Sequence, residues 1–122
     1  MLKAHAEAAP ESIYIGTEEA PVYTLDKLFE QLKRPKGKML LKIDTQGYES
    51  QVLAGAKEIL PAVEGIYLEM SLTPLYEGQV LYGELYQTIL EAGFEFWGAS
   101  PGFGNEETGR VLQVDGSFFR KN

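Results

Sequence analysis

A chain of 122 residues, 44% hydrophobic and 24% charged, has the size and balance of one globular domain, yet it is short for a complete doubly wound nucleotide-binding fold. The formal charge of −7 argues against nucleic acid and membrane surfaces as partners, and the absence of cysteine excludes disulfides, thiolate metal sites and a thiol nucleophile. No stretch is long and apolar enough to cross a bilayer, and the first residues lack the apolar core of a signal peptide; the expected location is cytoplasmic and the expected ligand small.

Residues 1–9 are rich in alanine, with Lys3, His5 and Glu7 interspersed, as in a marginal surface helix or a frayed end. His5, the single histidine, is expected to be solvated, because its sequence neighbours offer no partner at ligand spacing. Ser12 to Gly16 and Ala20 to Tyr23 read as short strands. Thr24 then suits the N-cap of a helix with Leu25, Leu28, Phe29 and Leu32 on one face, Asp26 near its positive end and Lys33 and Arg34 near its negative end. Pro35 and Gly37 stop that helix, and Lys36-Gly37-Lys38 reads as a solvated turn.

Met39 to Ile43 form an apolar run expected to be a buried strand, and Val52, Leu53, Ala56, Ile59 and Leu60 place a helix over about Tyr48 to Leu60. Pro61 ends it, and Gly65 to Ser71 read as a second strand. A strand, helix and strand of these lengths make a right-handed crossover, so the two strands are expected to be parallel and adjacent. Leu72 to Gln79 would form a rim above them. A further helix carries Tyr82, Leu85, Tyr86, Ile89 and Leu90 on one face and ends at Gly93 in a left-handed cap. Phe94 to Ala99 read as a third strand, and Arg110 to Phe119 as a fourth, interrupted or kinked at Asp115-Gly116; these last two are expected to pair antiparallel. With no repeat and no linker, residues 1–122 read as one domain, in which residues 1–19 are a flexible lead or an appended remnant.

The joint between the first strand and its helix is the stretch around which the chain is arranged. Asp44, Thr45 and Gln46 fall at the carboxyl end of the strand and the mouth of the helix, where open α/β sheets handle ligands. Asp44 or Thr45 has an equal claim to cap the helix, and the two duties are compatible. Glu49 reads as a first-turn charge interacting with the helix dipole. Glu69 would lie at the carboxyl end of the adjacent strand, and neighbouring carboxylates divide their protonation or share a cation. Lys42, inside an apolar strand, either snorkels past the edge or pairs with a carboxylate, and the pairing is the expectation. Tyr76, Trp97 and Phe103 are candidates for the wall of a pocket, with core or rim packing as the plainer role.

Leu41-Lys42-Ile43-Asp44-Thr45-Gln46-Gly47-Tyr48-Glu49, followed by Val52-Leu53-Ala54-Gly55-Ala56, resembles the strand-four signature of the FkbM-type S-adenosylmethionine-dependent methyltransferases. Leu68-Glu69-Met70-Ser71, Pro74 to Gly78, Pro101-Gly102-Phe103 and Thr108 to Gly116 resemble later blocks of one branch, and Thr24-Leu25-Asp26-Lys27-Leu28 an earlier one, so the likeness spans about residues 20–120. It implies an α/β fold, namely the carboxyl-terminal half of a class I (Rossmann-like) methyltransferase domain. That half would combine parallel strands from a βαβ unit with a C-terminal antiparallel pair.

The resemblance also implies S-adenosylmethionine as cofactor and O-methylation of a small molecule or sugar hydroxyl, with Asp44 and Glu69 as catalytic residues and Asp44, Thr45 and Gln46 as cofactor-binding ones; no residue is assigned to a metal. The glycine-rich turn and acidic residue that hold most of the cofactor in this fold class are absent from the sequence, so the chain reads as truncated. The rival reading is a non-catalytic half-domain that self-associates or binds a partner. In either case Met39 to Ile43 would be left as an apolar edge strand, expected to be covered by Ser12 to Gly16 or by a second copy of the chain in a homo-oligomer.

Overall fold

The structure, a computed structural model, describes residues 1–32 and 37–121. Its elements in chain order are α1 (Lys3–Ala8), α2 (Leu25–Gln31), β1 (Met39–Ile43), α3 (Glu49–Ala54), a 3-10 turn (Leu60–Ala62), β2 (Val63–Ser71), α4 (Tyr82–Glu91), β3 (Phe94–Pro101), the short β4 (Gly104–Asn105) and β5 (Arg110–Val111), and β6 (Gln113–Arg120). The basic end expected for α2 at Lys33 and Arg34, its stop at Pro35 and the start of the turn at Lys36 lie outside the described residues.

Four strands form one sheet in the order β1-β2-β6-β3, and β4 and β5 form a separate two-stranded ribbon. β1 and β2 are parallel and adjacent, with Ile43 opposite Leu68, as the crossover rule requires. The chain's last strand does not simply join the edge. β6 enters between β2 and β3 and runs antiparallel to both, so the antiparallel pairing expected of the last two strands holds, and β2 gains a second partner as well.

Alternation along β1 and β2 sends Leu41, Ile43, Ile66, Leu68 and Met70 to one face and Leu40, Lys42, Tyr67 and Glu69 to the other. The first face carries the core, where Ile43, Ile66, Leu68, Met70 and Phe118 pack under Leu53 of α3 and Leu85 and Ile89 of α4. The second face has no helix over its middle: Leu40 is 74% exposed and Trp97 69%. Among the described residues no helix is long and apolar enough to cross a membrane.

Three expectations are corrected. Ser12 to Gly16 and Ala20 to Tyr23 form no strand and are exposed. Their β-branched and aromatic residues have no apolar layer to join, and Ile15 lies wholly in solvent. The outer edge of β1 is therefore not covered by residues 12–16, and among the described residues β1 pairs with β2 alone.

The helix after β1 spans Glu49–Ala54 rather than extending to Leu60. The Asp26 carboxylate accepts the N–H groups of Glu58 and Ile59 at 3.0 to 3.1 Å, taking donors that a continuing helix would need for its own carbonyls. Asp26 thus ties α2 to the chain beyond α3 as well as sitting in its own first turn.

The fourth strand is interrupted at Leu112 and not at Asp115-Gly116, which run inside β6. Glycine is required there by packing: a Cβ on Gly116 would lie 2.5 Å from the Met70 methyl and 2.8 Å from the Phe118 ring. Elsewhere the local signals hold, since Thr24 caps α2 by accepting from the Lys27 N–H, and Gly93 ends α4 at φ +88°.

Candidate functional site

β1 ends at Ile43, and the next five residues, 44–48, make a turn that is held from within. Gln46 adopts φ +54° and Gly47 φ +99°, so two consecutive residues lie in the left-handed region, costly for a glutamine. Glu49, 3% exposed, supports this geometry. One of its oxygens accepts the Thr45 N–H at 3.0 Å, the Thr45 hydroxyl at 3.1 Å and the Gly47 N–H at 3.1 Å. It was expected only as a surface charge near the helix dipole, and its larger part is to hold the turn. Thr45 accordingly directs both of its donors at Glu49.

The turn projects Asp44 and Gln46 toward the end of β2. The Gln46 Nε2 donates to Asp44 Oδ1 at 2.8 Å and reaches Glu69 Oε2 at 3.4 Å, so one side-chain amide spans both carboxylates. Asp44 Oδ2 takes the Lys42 ammonium at 3.3 Å, the carboxylate partner expected for that lysine. Parallel pairing of β1 and β2 is what puts Asp44 and Glu69 at the same end of the sheet.

On its other side Glu69 meets β6. Gln113 Nε2 donates to Glu69 Oε2 at 2.8 Å, and Asp115 stands directly opposite Glu69 in the antiparallel register. Burial, then the charges of Asp44 and Asp115, push the Glu69 carboxyl up from 4.5 to about 7, against the pull of the Gln113 hydrogen bond. Gln113 also donates to Ser71 Oγ at 3.1 Å, and Gln79 donates to the same hydroxyl at 2.7 Å. The Gln79 carbonyl in turn accepts the N–H groups of Leu75 and Tyr76, which fixes the rim loop above the carboxylates. From that loop the Tyr76 hydroxyl donates to Gln46 Oε1. Burial first, then the Tyr14 phenol and the nearby carboxylates, push the Tyr76 phenol up to about 12.

His5 is not solvated. It is 8% exposed, its ring stacked on Phe103 at a centroid distance of 5.1 Å and tilted against Tyr76 at 5.3 Å. Ala4 and Ala8 lie on the same side of α1 and pack with Leu75, Tyr76 and Leu112, so the helix brings the imidazole into the rim with them. Its Nδ1 is buried without a hydrogen-bond partner among the described residues. Trp97 does not join Tyr76 and Phe103: its ring packs on Phe119 at 4.4 Å, on the open face of the sheet.

The structure thus brings Asp44, Gln46 and Glu69 together and adds Tyr76, Gln113 and Asp115, the last two unforeseen from sequence. A signal for them existed in the alternation of Gln113 and Asp115 along β6, but it has meaning only once β6 is paired with β2. The assembled groups can accept hydrogen bonds from a hydroxyl, balance a cation and hold a proton near neutrality.

Comparison with known proteins adds a family. No curated protein and no solved structure matches the chain. A family model, the methyltransferase FkbM domain, matches residues 2–96. That is well over half of the chain, and it takes in β1, the turn with Asp44 and Gln46, and Glu69. On this match the chain belongs to the FkbM methyltransferase domain family.

Proposed function

We propose that the chain is the acceptor-side part of a cytoplasmic, S-adenosylmethionine-dependent O-methyltransferase of Rossmann-like fold, acting on a hydroxyl of a small molecule or sugar. The observation that carries this reading is the Gln46 amide spanning Asp44 and Glu69 at the carboxyl end of a parallel strand pair. S-adenosylmethionine supplies an electrophilic methyl group on a sulfonium centre. The crevice suits that cation, since Asp44 and Asp115 offer carboxylates beside the Lys42 ammonium.

Asp44 and Gln46 would hold the cationic end, with Thr45 contributing through the turn it locks with Glu49. Glu69 and Tyr76 would face the acceptor. Methyl transfer depends mainly on alignment of nucleophile and electrophile, and a turn fixed by internal hydrogen bonds serves that need. For the nucleoside end, the described residues offer no glycine-rich turn after a strand, so the fit of this chain to the cofactor is partial.

A second reading, a non-catalytic half-domain that self-associates, is favoured by the open outer edge of β1 beside the exposed Leu40. Calorimetric titration with S-adenosylmethionine distinguishes the two. Micromolar binding, weakened by Asp44→Asn, is expected for the methyltransferase. No binding, together with a dimer in sedimentation that Leu40→Lys dissociates, would leave the second reading in its place.

A further inference from the structure

We infer that Glu69 is the proton acceptor of the crevice and that Gln113 is the positioning residue that presents it, one carboxylate oxygen being held by side-chain amides while the other faces the ligand. The assignment rests on the methyl-transfer reading and deepens it by separating the roles of the carboxylates.

The separation follows from where each oxygen goes. Both Asp44 oxygens are engaged, Oδ1 by Gln46 and Oδ2 by Lys42, so Asp44 is a charge-balanced anchor. Glu49 is buried, with three donors on one oxygen. Among the described residues no side-chain amide bonds Asp115, since the Gln113 amide goes to Glu69 and Ser71. Glu69 alone combines a fixed orientation with an available oxygen. Oε2 takes Gln113 at 2.8 Å and Gln46 at 3.4 Å, while no donor among the described residues reaches Oε1, which is not sealed from water.

Gln113 itself is 3% exposed and held through Ser71 and Gln79, so the group that aims Glu69 is fixed by the core. The groups acting on Glu69 come from every side: Asp44 after β1, Glu49 on α3, Asp115 and Gln113 on β6. Their sum, with burial, favours the protonated form and makes Oε1 basic enough to take a proton near neutral pH.

In the step this implies, the acceptor O–H bond breaks and the proton passes to Glu69 Oε1. The oxygen would keep the electron pair with which it bonds the methyl carbon, and the pair of the broken carbon–sulfur bond would stay on sulfur, which leaves as the neutral thioether.

The test is a carbon-13 titration of the glutamate carboxyls of the whole chain, without cofactor, for the native protein, Gln113→Leu and Asp115→Asn. Glu69, assigned by its loss in Glu69→Gln, is expected to titrate near 7 in the native chain, from the pressure of burial and of Asp44 and Asp115. Asp115→Asn should lower that midpoint by about one unit, and Gln113→Leu should raise it. A Glu69 midpoint at 4.5, or one unmoved by Asp115→Asn, overturns the inference. Asp115 is only partly buried, so its variant keeps the test decisive if Gln113→Leu does not fold.

In turnover, Glu69→Gln and Gln113→Leu should lower kcat by about 100-fold and leave KM for the methyl donor unchanged, and Gln113→Leu should also shift the acid limb of the pH profile. Cofactor binding with an ordinary Glu69 would sink this inference alone. Absence of cofactor binding would sink the methyl-transfer reading and leave the titration standing as a property of the site.

Discussion

The carboxylate of Glu49 is bonded to Thr45 at two points, its N–H at 3.0 Å and its hydroxyl at 3.1 Å, and the same oxygen closes on the Gly47 N–H. A charge placed at the start of a short helix has become the internal support of a turn. Truncating it takes the acceptor from three donors at once and empties a buried position. Glu49→Ala should destabilise the chain by about 3 kcal/mol and Glu49→Gln by about 1 kcal/mol, read from urea denaturation midpoints.

Gln46 and Gly47 should answer oppositely to substitution. A Cβ on Gly47 would lie 2.8 Å from three atoms of Tyr76, in a backbone conformation that already disfavours alanine. Gly47→Ala is therefore expected to cost about 2 kcal/mol or more and to displace Tyr76 from Gln46. At Gln46, glycine removes the penalty of φ +54°, so Gln46→Gly should leave stability unchanged or raise it by up to about 1 kcal/mol. The same change removes the amide that spans Asp44 and Glu69, and cofactor affinity should fall. Loss of stability without loss of binding would contradict the functional role given to the turn.

Glu69 makes stability depend on pH in a definite direction. Its carboxyl titrates at 4.5 when unfolded and at about 7 when folded, so the native state binds the proton more tightly. The stabilisation is complete below the unfolded value and is lost as pH rises through the folded one. Between about pH 5 and about pH 8 the native chain should lose stability relative to Glu69→Gln, which has no proton to give up. Urea midpoints across that range check the sign. A difference that grows in the opposite sense would mean that Glu69 is stabilised as its anion.

His5 offers a test of burial without a partner. Phenylalanine keeps the stacking on Phe103 and removes the buried Nδ1, so His5→Phe should stabilise the chain by about 1 kcal/mol. His5→Ala, which opens a cavity between Tyr76 and Phe103, should instead cost about 2 kcal/mol. Thermal denaturation separates the two. Destabilisation by both would show that the imidazole nitrogen has a partner in solution.

What the sequence disclosed was what short range can encode. β1, β2 and α4 announce themselves by apolar runs and helical spacing, and the crossover rule alone places Asp44 and Glu69 at one end of the sheet. Residues 12–16 carry strand-forming side chains but no neighbouring edge receives them, a fact that lies in the assembled sheet and not in the segment. The end of α3 depends on Asp26, more than thirty residues away from the N–H groups it takes. The burial of His5 is equally non-local, since the aromatic rings that cover it come from Tyr76 and Phe103. Gln113 and Asp115 acquire their place only through a strand pairing of the longest sequence separation in the sheet.

That β6 lies in the interior of the sheet governs the order in which the molecule can be made. A nascent chain that has emerged only as far as Leu112 holds β1 paired to β2, while β3 has no sheet neighbour at all. Among the described residues all strand pairing between β3 and the β1-β2 pair runs through Gln113–Arg120, so the sheet closes only when this strand is in place, with the carboxylate crevice completed in the same moment by Gln113 and Asp115.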